Sequence, residues 1–261
     1  MNHTPTIKGW RYLMLKRSLA AIETPRRLTR AGPVGISGFP GLDSFTGCFT
    51  LVQSFLKARA MKQLHRPDLF GWSEFNPDRN IDFHSILWVR DGGNVVIDPL
   101  PMIDHDRGHL DALGGAGVIV VTNSDHLRDS TALRAHTGAR LLGPLGEKHK
   151  FPADCDWWVS DLEEIVPGLR AVAMEGSKTP GELALILEHS TLITGDLIRA
   201  HEGGRLRLLP DAKLSDKVRA MESIQRLVEM GPYETVLPGD GWPVFRDGQA
   251  LLEAMLEEAG G

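Results

Sequence analysis

The sequence has little of what defines several classes of protein. Only two cysteines occur in 261 residues, Cys48 and Cys155, and they lie far apart and form no CxxC pair. Such a sequence excludes a disulfide-rich scaffold and a cysteine-rich zinc site, and it is typical of the reducing cytoplasm, where we expect the protein. No run of about 18 uncharged apolar residues is present, so we expect neither a membrane-spanning helix nor a membrane partner.

An excess of charge of one sign is also missing, because the net charge at pH 7 is only −5. This balance gives no reason to expect a nucleic-acid partner. Hydrophobic residues make up 42% and charged residues 24% of the chain. These are ordinary values for a globular protein, and they exclude a wholly disordered chain. The composition indicates no particular oligomeric state.

Positive charge is concentrated at the start of the chain. Residues 1–60 contain nine lysines and arginines but only Glu23 and Asp43 as acids, a net charge of +7. Residues 61–261 carry 20 basic and 32 acidic side chains, a net charge of −12. We predict a basic, poorly ordered extension over residues 1–60, followed by one domain over residues 61–261. An organelle transit peptide, or synthesis that starts at Met61, would also account for the first segment.

From Ile81 onward, short apolar runs alternate with turn and helix patterns. Residues 83–89 and 95–98 flank a glycine-containing turn and predict a β-hairpin, and residues 183–187 and 191–194 predict a second one. Further strands are predicted over residues 117–122, 140–143 and 235–238, and helices over residues 130–137, 213–230 and 249–258. Hairpins followed by alternating strands and helices predict an α/β (α+β) fold in which strands lie between helices.

Small or polar residues follow four of the predicted strands. The segments are Val96-Ile97-Asp98-Pro99, Val121-Thr122-Asn123, Ile193-Thr194-Gly195-Asp196 and Val236-Leu237-Pro238-Gly239-Asp240. Rigid sheets often present functional side chains at such strand ends. We therefore expect the functional site there.

Four motifs, in this order, resemble the metallo-β-lactamase superfamily, the αββα-sandwich hydrolases that include glyoxalase II. The motifs are the strand that ends in Asp98, Lys178-Thr179-Pro180-Gly181 with the strand after it, Thr194-Gly195-Asp196, and Leu237-Pro238-Gly239-Asp240-Gly241. They are similar to the family's early strand ending in aspartate, its His-Thr-Pro-Gly-Ser, its Thr-Gly-Asp and its Leu-Pro-Gly-His-Gly. The resemblance covers about residues 81–245 and implies an αββα sandwich, in which the aspartate of Thr-Gly-Asp bridges two metal ions.

The family's metal motif, Thr-His-x-His-x-Asp-His, is where the sequence departs from the resemblance. The corresponding segment reads Thr122-Asn123-Ser124-Asp125-His126-Leu127-Arg128. In an ungapped alignment only the bridging Asp196 is kept, and the other ligand positions hold Asn123, Asp125, Lys178, Leu127, Arg128 and Asp240. A shift of one residue aligns Asp125 and His126 with the Asp-His pair but restores no complete site. Because catalytic zinc usually has three protein ligands, we expect no zinc site of the family type.

The resemblance implies that the remaining charged side chains converge on one cleft. Asp196 and Asp240 are the candidate bases, and Lys178 and Arg128 are candidates to stabilise an oxyanion. The other residues expected in the cleft are Asn123, Asp125, His126 and Asp98. We expect Lys178 and Arg128 to stand where the metals would stand and to neutralise the carboxylates in a salt-bridge network. A network kept only for folding is the alternative.

Three functions remain open. The first is a hydrolase-like protein that is free of metal and is either catalytically silent or altered in its hydrolytic chemistry. The second is a binding module that holds a small anionic molecule on Lys178 and Arg128 without turnover. The third is a hydrolase that uses Mg²⁺ or Mn²⁺ on Asp125, Asp196 and Asp240, because all-oxygen sites suit these ions.

Overall fold

The computed structural model describes residues 61–260, so the predicted extension over residues 1–60 lies outside the described residues. The first of two main sheets contains seven strands that pair in chain order: β1 (Lys62–Gln63), β2 (Leu69–Asn76), β3 (Ile81–Trp88), β4 (Val95–Ile97), β5 (Val118–Val120), β6 (Arg140–Pro144) and β7 (Trp157–Val159). Strands β1 to β4 pair antiparallel, whereas β4 to β7 pair parallel. The predicted first hairpin, β3 with β4, is confirmed.

The second main sheet contains five strands: β8 (Glu164–Val166), β9 (Leu169–Ala173), β10 (Leu183–Leu187), β11 (Thr191–Thr194) and β14 (Thr235–Pro238). Their order is β14-β11-β10-β9-β8, with β14 parallel to β11 and the other pairs antiparallel. The predicted hairpin of β10 with β11 is confirmed. Strands β12 (Ile198–Arg199) and β13 (Arg207–Leu208) form a small separate ribbon.

Four α-helices lie in the described part of the chain: α1 (Asp104–Ala112), α2 (Ser130–Thr137), α3 (Lys217–Met230) and α4 (Gly248–Gly260). Three 3₁₀ turns accompany them, over Ser124–His126, Leu145–Glu147 and Asp211–Lys213. None of the helices described is long and apolar enough to cross a membrane.

Three clusters of buried side chains separate four layers. One cluster fills the space between the sheets and includes Leu185. A second packs α1 and α2 on the outer face of the first sheet through Leu110 and Leu133. The third packs α3 and α4 on the outer face of the second sheet through Ile224 and Leu252. This arrangement is the predicted αββα sandwich.

Strand β10 shows how the sequence produces these layers. All five of its residues are buried. Because successive side chains of a strand point to opposite faces, Leu183, Leu185 and Leu187 pack between the sheets, while Ala184 and Ile186 pack toward the helices. A continuous apolar run is therefore what a strand covered on both faces requires.

Two differences from the sequence prediction have local causes. Helix α3 begins at Lys217 rather than at residue 213, because Asp216 caps it by accepting a hydrogen bond from the Arg219 N–H at 3.1 Å. Strand β2 was not predicted, since its residues 69–76 alternate only weakly between buried and exposed. It pairs along its full length with β3, the strand that contains the cleft residue Phe83.

The topology brings four strand ends to one edge of the sandwich. Asp98 follows β4, Thr122 follows β5, Asp196 follows β11 and Asp240 follows β14. Backbone hydrogen bonds join the two sheets at this edge: Leu183 N–H to Thr122 O at 2.8 Å, His84 N–H to Gly239 O at 2.9 Å, and Gly241 N–H to Asp82 O at 2.8 Å. The polar residues predicted at strand ends therefore do converge.

Candidate functional site

A cavity of about 390 Å³ opens at this edge, within the usual size range of small-molecule sites. Its lining consists of Arg79, Phe83, Leu100, Asp125, His126, Arg128, Lys178, Asp196 and Asp240. Six of the eight predicted site residues are in this lining. The other two, Asn123 and Asp98, are buried behind it and contact the residues that line it.

His126 lies at the centre of the charged groups and is only 3% exposed. Its Nδ1 is 2.8 Å from Asp98 Oδ2, and its Nε2 is 3.6 Å from Asp196 Oδ2 and 4.0 Å from Asp240 Oδ1. Burial and the nearby Arg128 oppose a charge on the ring, but the Asp98 and Asp196 carboxylates outweigh them and raise the pKa of His126 to about 9. The ring is therefore a cation at neutral pH, with an N–H on each side.

Asp98 fixes the orientation of that ring from behind. Its Oδ1 accepts a hydrogen bond from the Thr122 N–H at 2.7 Å, and its Oδ2 accepts one from the Thr122 hydroxyl at 2.6 Å. Asp98 has a left-handed backbone, with φ of 49°. Such conformations are costly and cluster at functional sites, where the surrounding contacts hold them in place.

Lys178 joins two carboxylates of the cleft. Its Nζ is 2.7 Å from Asp125 Oδ2 and 2.9 Å from Asp196 Oδ2, and the Asn123 amide donates to the same Asp196 oxygen at 3.1 Å. Burial opposes ionisation of Asp196, but the charges of His126 and Lys178 hold its pKa below the usual range. Burial likewise opposes the charge of Lys178, and Asp196 and Asp125 raise the pKa of the lysine nonetheless. Of the cleft carboxylates that Lys178 and Arg128 are expected to neutralise, Lys178 thus contacts Asp196 and Asp125.

Asp240 has a different set of cations. Arg199 donates to its Oδ2 at 3.0 Å, whereas Arg128 Nη2 is 3.8 Å from its Oδ1. This Oδ1 is buried and has no hydrogen-bond partner among the described residues. Sequence reasoning missed Arg199. The signal for it was a cation within an otherwise apolar segment, between Ile198 and Ala200.

Arg128 is held by backbone oxygens more than by a carboxylate. Its Nη1 donates to His84 O at 2.7 Å and to Asp98 O at 3.2 Å, and its guanidinium lies 5.5 Å from the centre of the Phe83 ring. Its own backbone is left-handed, with φ of 41°. Arg128 therefore presents a fixed positive charge to the cleft.

Asn123 and Glu182 form the layer beneath the charged groups. Asn123 Oδ1 accepts hydrogen bonds from the backbone N–H groups of Asp125 and His126, which caps the 3₁₀ turn that carries both residues. Glu182 is buried and accepts from the Ser177 hydroxyl at 2.5 Å and from the Leu197 N–H at 2.8 Å. Burial, and then the charge of Asp196, raise the pKa of Glu182 to about 7.

The donor set does not fit the pair of zinc ions that the resemblance implies. In the described part of the chain, the group of His, Cys, Asp and Glu whose ligand atoms lie within 4.8 Å of one another is His126, Asp196 and Asp240. It offers one imidazole and two carboxylates, and the described residues contain no second group of three such ligands for another ion. Lys178 and Asn123 already contact Asp196 Oδ2, at 2.9 and 3.1 Å, so this oxygen is not free to bind an ion. Asp125 is not in this group, which removes one of the three ligands expected for Mg²⁺ or Mn²⁺.

Gly239 allows the close approach of His126, and this yields a test. A Cβ at Gly239 would lie 2.8 Å from His126 Cε1, whereas a Cβ at Gly203 would meet no atom within 4 Å. We expect Gly239→Ala to lower the free energy of unfolding by about 1–3 kcal/mol, as overpacked sites do. In urea unfolding, Gly203→Ala should change it by less than about 0.5 kcal/mol. Equal effects of the two substitutions would contradict the packing of His126 against Gly239.

Removing the charge of Lys178 should destabilise the fold. Lys178→Met keeps the apolar stem but leaves Asp196 without its closest cation, and we expect a loss of about 3 kcal/mol in the free energy of unfolding at pH 7. The loss should shrink at low pH, where an unpaired carboxylate becomes protonated. Lys217→Met is the control, because Lys217 pairs with Asp211 on the surface. This substitution should change the free energy of unfolding by less than about 0.5 kcal/mol. Similar losses in both variants would contradict a special role for Lys178.

The charge of His126 predicts a specific pH dependence. Its pKa in the folded protein, about 9, lies above the ordinary value of 6.5. The stabilisation from the protonated ring is therefore fully present below pH 6.5 and is lost as the pH rises through 9. We expect the stability advantage of wild type over His126→Gln to fall by about 3 kcal/mol across this window in urea unfolding. Parallel stability curves for the two proteins would show that the ring is neutral.

Comparison with known proteins agrees with this architecture. The sequence model of the metallo-beta-lactamase superfamily matches residues 61–259. None of the curated proteins matches. A metallo-beta-lactamase from Pontibacter korlensis is similar in structure, with a TM-score of 0.62 and 17% sequence identity. The alignment covers 78% of this chain and 99% of that protein. The DIM-1 metallo-beta-lactamase has a TM-score of 0.61 and 13% sequence identity, and the alignment covers 77% of this chain and 97% of that protein.

At these identities the structural likeness concerns the fold alone. A metallo-beta-lactamase from Hirschia baltica shows the same degree of likeness, with a TM-score of 0.60, 12% identity and coverage of 78% of this chain and 98% of its own. The family match, in contrast, extends over three quarters of the chain and includes every residue of the cleft. The chain therefore belongs to the metallo-beta-lactamase superfamily.

Proposed function

We propose that this chain is a metal-independent member of its superfamily, that its cleft binds a small anionic molecule, and that zinc-dependent hydrolysis is absent. The observation that supports this most directly is the Lys178 ammonium, which lies 2.7 Å from Asp125 and 2.9 Å from Asp196. Together with the charged ring of His126, it supplies next to Asp196 the positive charge that metal ions would supply. The protein itself thus compensates the carboxylates of the cleft.

Charge in the lining favours an anion as the ligand. The four cations are Arg79, Arg128, Lys178 and His126, and the three carboxylates are Asp125, Asp196 and Asp240. The lining therefore has a formal charge of +1 at neutral pH. Arg79 is exposed in the turn between β2 and β3, and its guanidinium has no carboxylate within 4 Å among the described residues. It is thus free to pair with a ligand that enters.

The walls of the cleft indicate the size and character of that ligand. A volume of about 390 Å³ admits a small metabolite but not a folded partner. Phe83 and Leu100 add apolar surface beside the charged groups. A small molecule with one anionic group and an apolar portion matches this lining best.

A second candidate function is metal-independent hydrolysis, and Asp240 favours it. Asp240 lines the cleft, and its buried Oδ1, which has no hydrogen-bond partner among the described residues, lies 4.0 Å from the charged His126 Nε2. A carboxylate oxygen in this position can take a proton from water, and the imidazolium can give one to a leaving group. Asp196 is the weaker candidate for the base, since Lys178 and Asn123 already occupy its inward oxygen.

Binding of anions to metal-free protein tests the proposal. Protein treated with chelator should contain less than about one transition metal per chain and should still bind at least one of phosphate, sulfate, acetate and phenyl phosphate in calorimetry. Arg79→Gln should weaken that binding about 5–10-fold, the effect of losing one charge-assisted hydrogen bond. Arg205→Gln, on an exposed arginine outside the cleft, is the matched control. Stoichiometric zinc in the purified protein, or binding that requires added zinc, would overturn metal independence.

A panel of ester, thioester and lactam substrates separates the two candidates. Turnover by metal-free protein that disappears in Asp240→Asn would favour hydrolysis. Anion binding without turnover would favour the binding module.

A further inference from the structure

Glu182 is a buried carboxyl group beneath the cleft, and an anion in the cleft would not touch it. It is 1% exposed and immediately precedes β10. Its backbone O accepts a hydrogen bond from the Met174 N–H at 2.7 Å, and the next N–H, that of Leu183, donates to Thr122 O at 2.8 Å. These contacts to the ends of β9 and β5, in the two different sheets, fix the position from which the side chain extends.

The side chain of Glu182 connects the two segments that carry Lys178 and Asp196. Its Oε2 accepts a hydrogen bond at 2.5 Å from the hydroxyl of Ser177, the residue before Lys178. Its Oε1 accepts one at 2.8 Å from the N–H of Leu197, the residue after Asp196. Glu182 therefore contacts both of the segments that form the ion pair of Lys178 with Asp196.

These hydrogen bonds allow the carboxyl group to exist with or without a proton. The Leu197 N–H can only donate, so Oε1 remains an acceptor in both states. A serine hydroxyl can donate or accept, so Ser177 donates to an ionised Oε2 and accepts from a protonated one. Glu182 can therefore gain or lose a proton on Oε2 and keep both contacts. The separation of 2.5 Å is typical of a hydroxyl that donates to a charged carboxylate.

The charges that act on Glu182 balance it between these two states. Burial and the Asp196 carboxylate at the end of β11 oppose its ionisation. The Ser177 hydroxyl, the Leu197 N–H and the charged ring of His126, on the 3₁₀ turn after β5, favour it. The pKa of Glu182 is consequently raised to about 7, so about half of the molecules carry the proton at neutral pH.

An anion that enters the cleft would change this balance. It would share the positive charges of Lys178 and His126, both of which pair with Asp196, and it would add a negative charge beside them. His126 and Lys178 already hold their protons at neutral pH, and the pKa of Asp196 is held below its usual range. Glu182 is the member of this set that can respond by taking a proton.

We propose that Glu182 takes up a proton when an anion binds, so that the cleft binds the anion and the proton together. The proton comes from the solvent and ends on Oε2, next to the Ser177 hydroxyl, and no other covalent bond forms or breaks. The protein thereby offsets the charge of the ligand within its own interior. The inference rests on the proposed binding of an anion and adds the regulation of that binding by pH.

Calorimetry of the full chain counts the protons that accompany binding. Sulfate, phosphate, acetate and phenyl phosphate are titrated at pH 7 in buffers of different ionisation enthalpy. If the anion raises the pKa of Glu182 by about one unit, the protonated fraction rises from about one half to about nine tenths, an uptake of about 0.4 proton. Glu182→Gln should lower the uptake by this amount. Ionisation of the ligand itself contributes equally to both proteins and cancels in the difference.

The affinity should depend on pH in the same direction. Because the complex holds the proton of Glu182 more tightly than the free protein does, binding is strongest below pH 7 and weakens as the pH rises through 7 to 8. For sulfate and a shift of one unit, we expect about 5-fold weaker binding at pH 8 than at pH 6. Glu182→Gln should remove this dependence. Glu147→Gln is the matched control, because Glu147 is also buried and accepts a backbone N–H, that of Ser124 at 2.9 Å, and it should keep the dependence.

Ser177→Ala moves the pH window and leaves the carboxyl group in place. Since the hydroxyl favours the ionised form of Glu182, its loss should raise the pKa further and shift the proton uptake to higher pH. This variant and the wild-type proton count keep the test decisive even if Glu182→Gln fails to fold. Binding without proton uptake, uptake unchanged in Glu182→Gln, or uptake that does not shift in Ser177→Ala would overturn this inference and leave the proposed function intact. Failure of all four anions to bind would overturn the proposed function, and this inference with it.

Discussion

The pairing of buried carboxylates with cations from the protein is the interaction on which the edge of this sandwich depends. Asp98, Asp196 and Asp240 are each 2–3% exposed, and the ends of three different strands bring them together. Carboxylates that converge in this way repel one another and favour the neutral acid unless positive charge lies between them. His126 lies between all three, so that one positively charged ring offsets carboxylates that come from both sheets. The site and the junction of the two sheets are thus a single electrostatic unit.

The backbone around this unit is adapted to it. Asp98 and Arg128 both have left-handed conformations, which side chains other than glycine adopt at a cost. At Gly195 and Gly239, a Cβ would come within 3 Å of Glu182 Oε1 and of His126 Cε1 respectively. These features keep the charged groups close together. The close packing requires glycine in the Thr-Gly-Asp and Pro-Gly-Asp segments, and these segments therefore indicate the fold even though the metal motif is not kept.

The fold could be predicted from the sequence because local patterns carry it. Apolar runs with turn residues between them located half of the strands and three of the four helices in the described part of the chain, and four motifs in the right order indicated the sandwich. The same motifs placed Asp98, Lys178, Asp196 and Asp240 near one another. The ion pairs of His126 and Arg199, and the position of Arg79 in the cleft lining, could not be predicted in this way. His126 aligns with a position that the family motif leaves open, and Arg199 pairs with a carboxylate 41 residues away. Arg79 belongs to a hairpin whose first strand has only weak alternation. Long-range ion pairs leave no periodic signal, and only the folded chain reveals them.

The shared cations have a consequence for how such a site can change over generations. Lys178 serves Asp125 and Asp196, and His126 serves Asp98, Asp196 and Asp240, so each cation stabilises several acids at once. Replacing Lys178 with a metal ligand leaves two acids without their cation before an ion can replace the lost charge. The intermediate sequences are therefore less stable than either end point. Ancestral reconstruction should accordingly find that the ligand positions changed together, or behind compensating mutations, rather than one at a time.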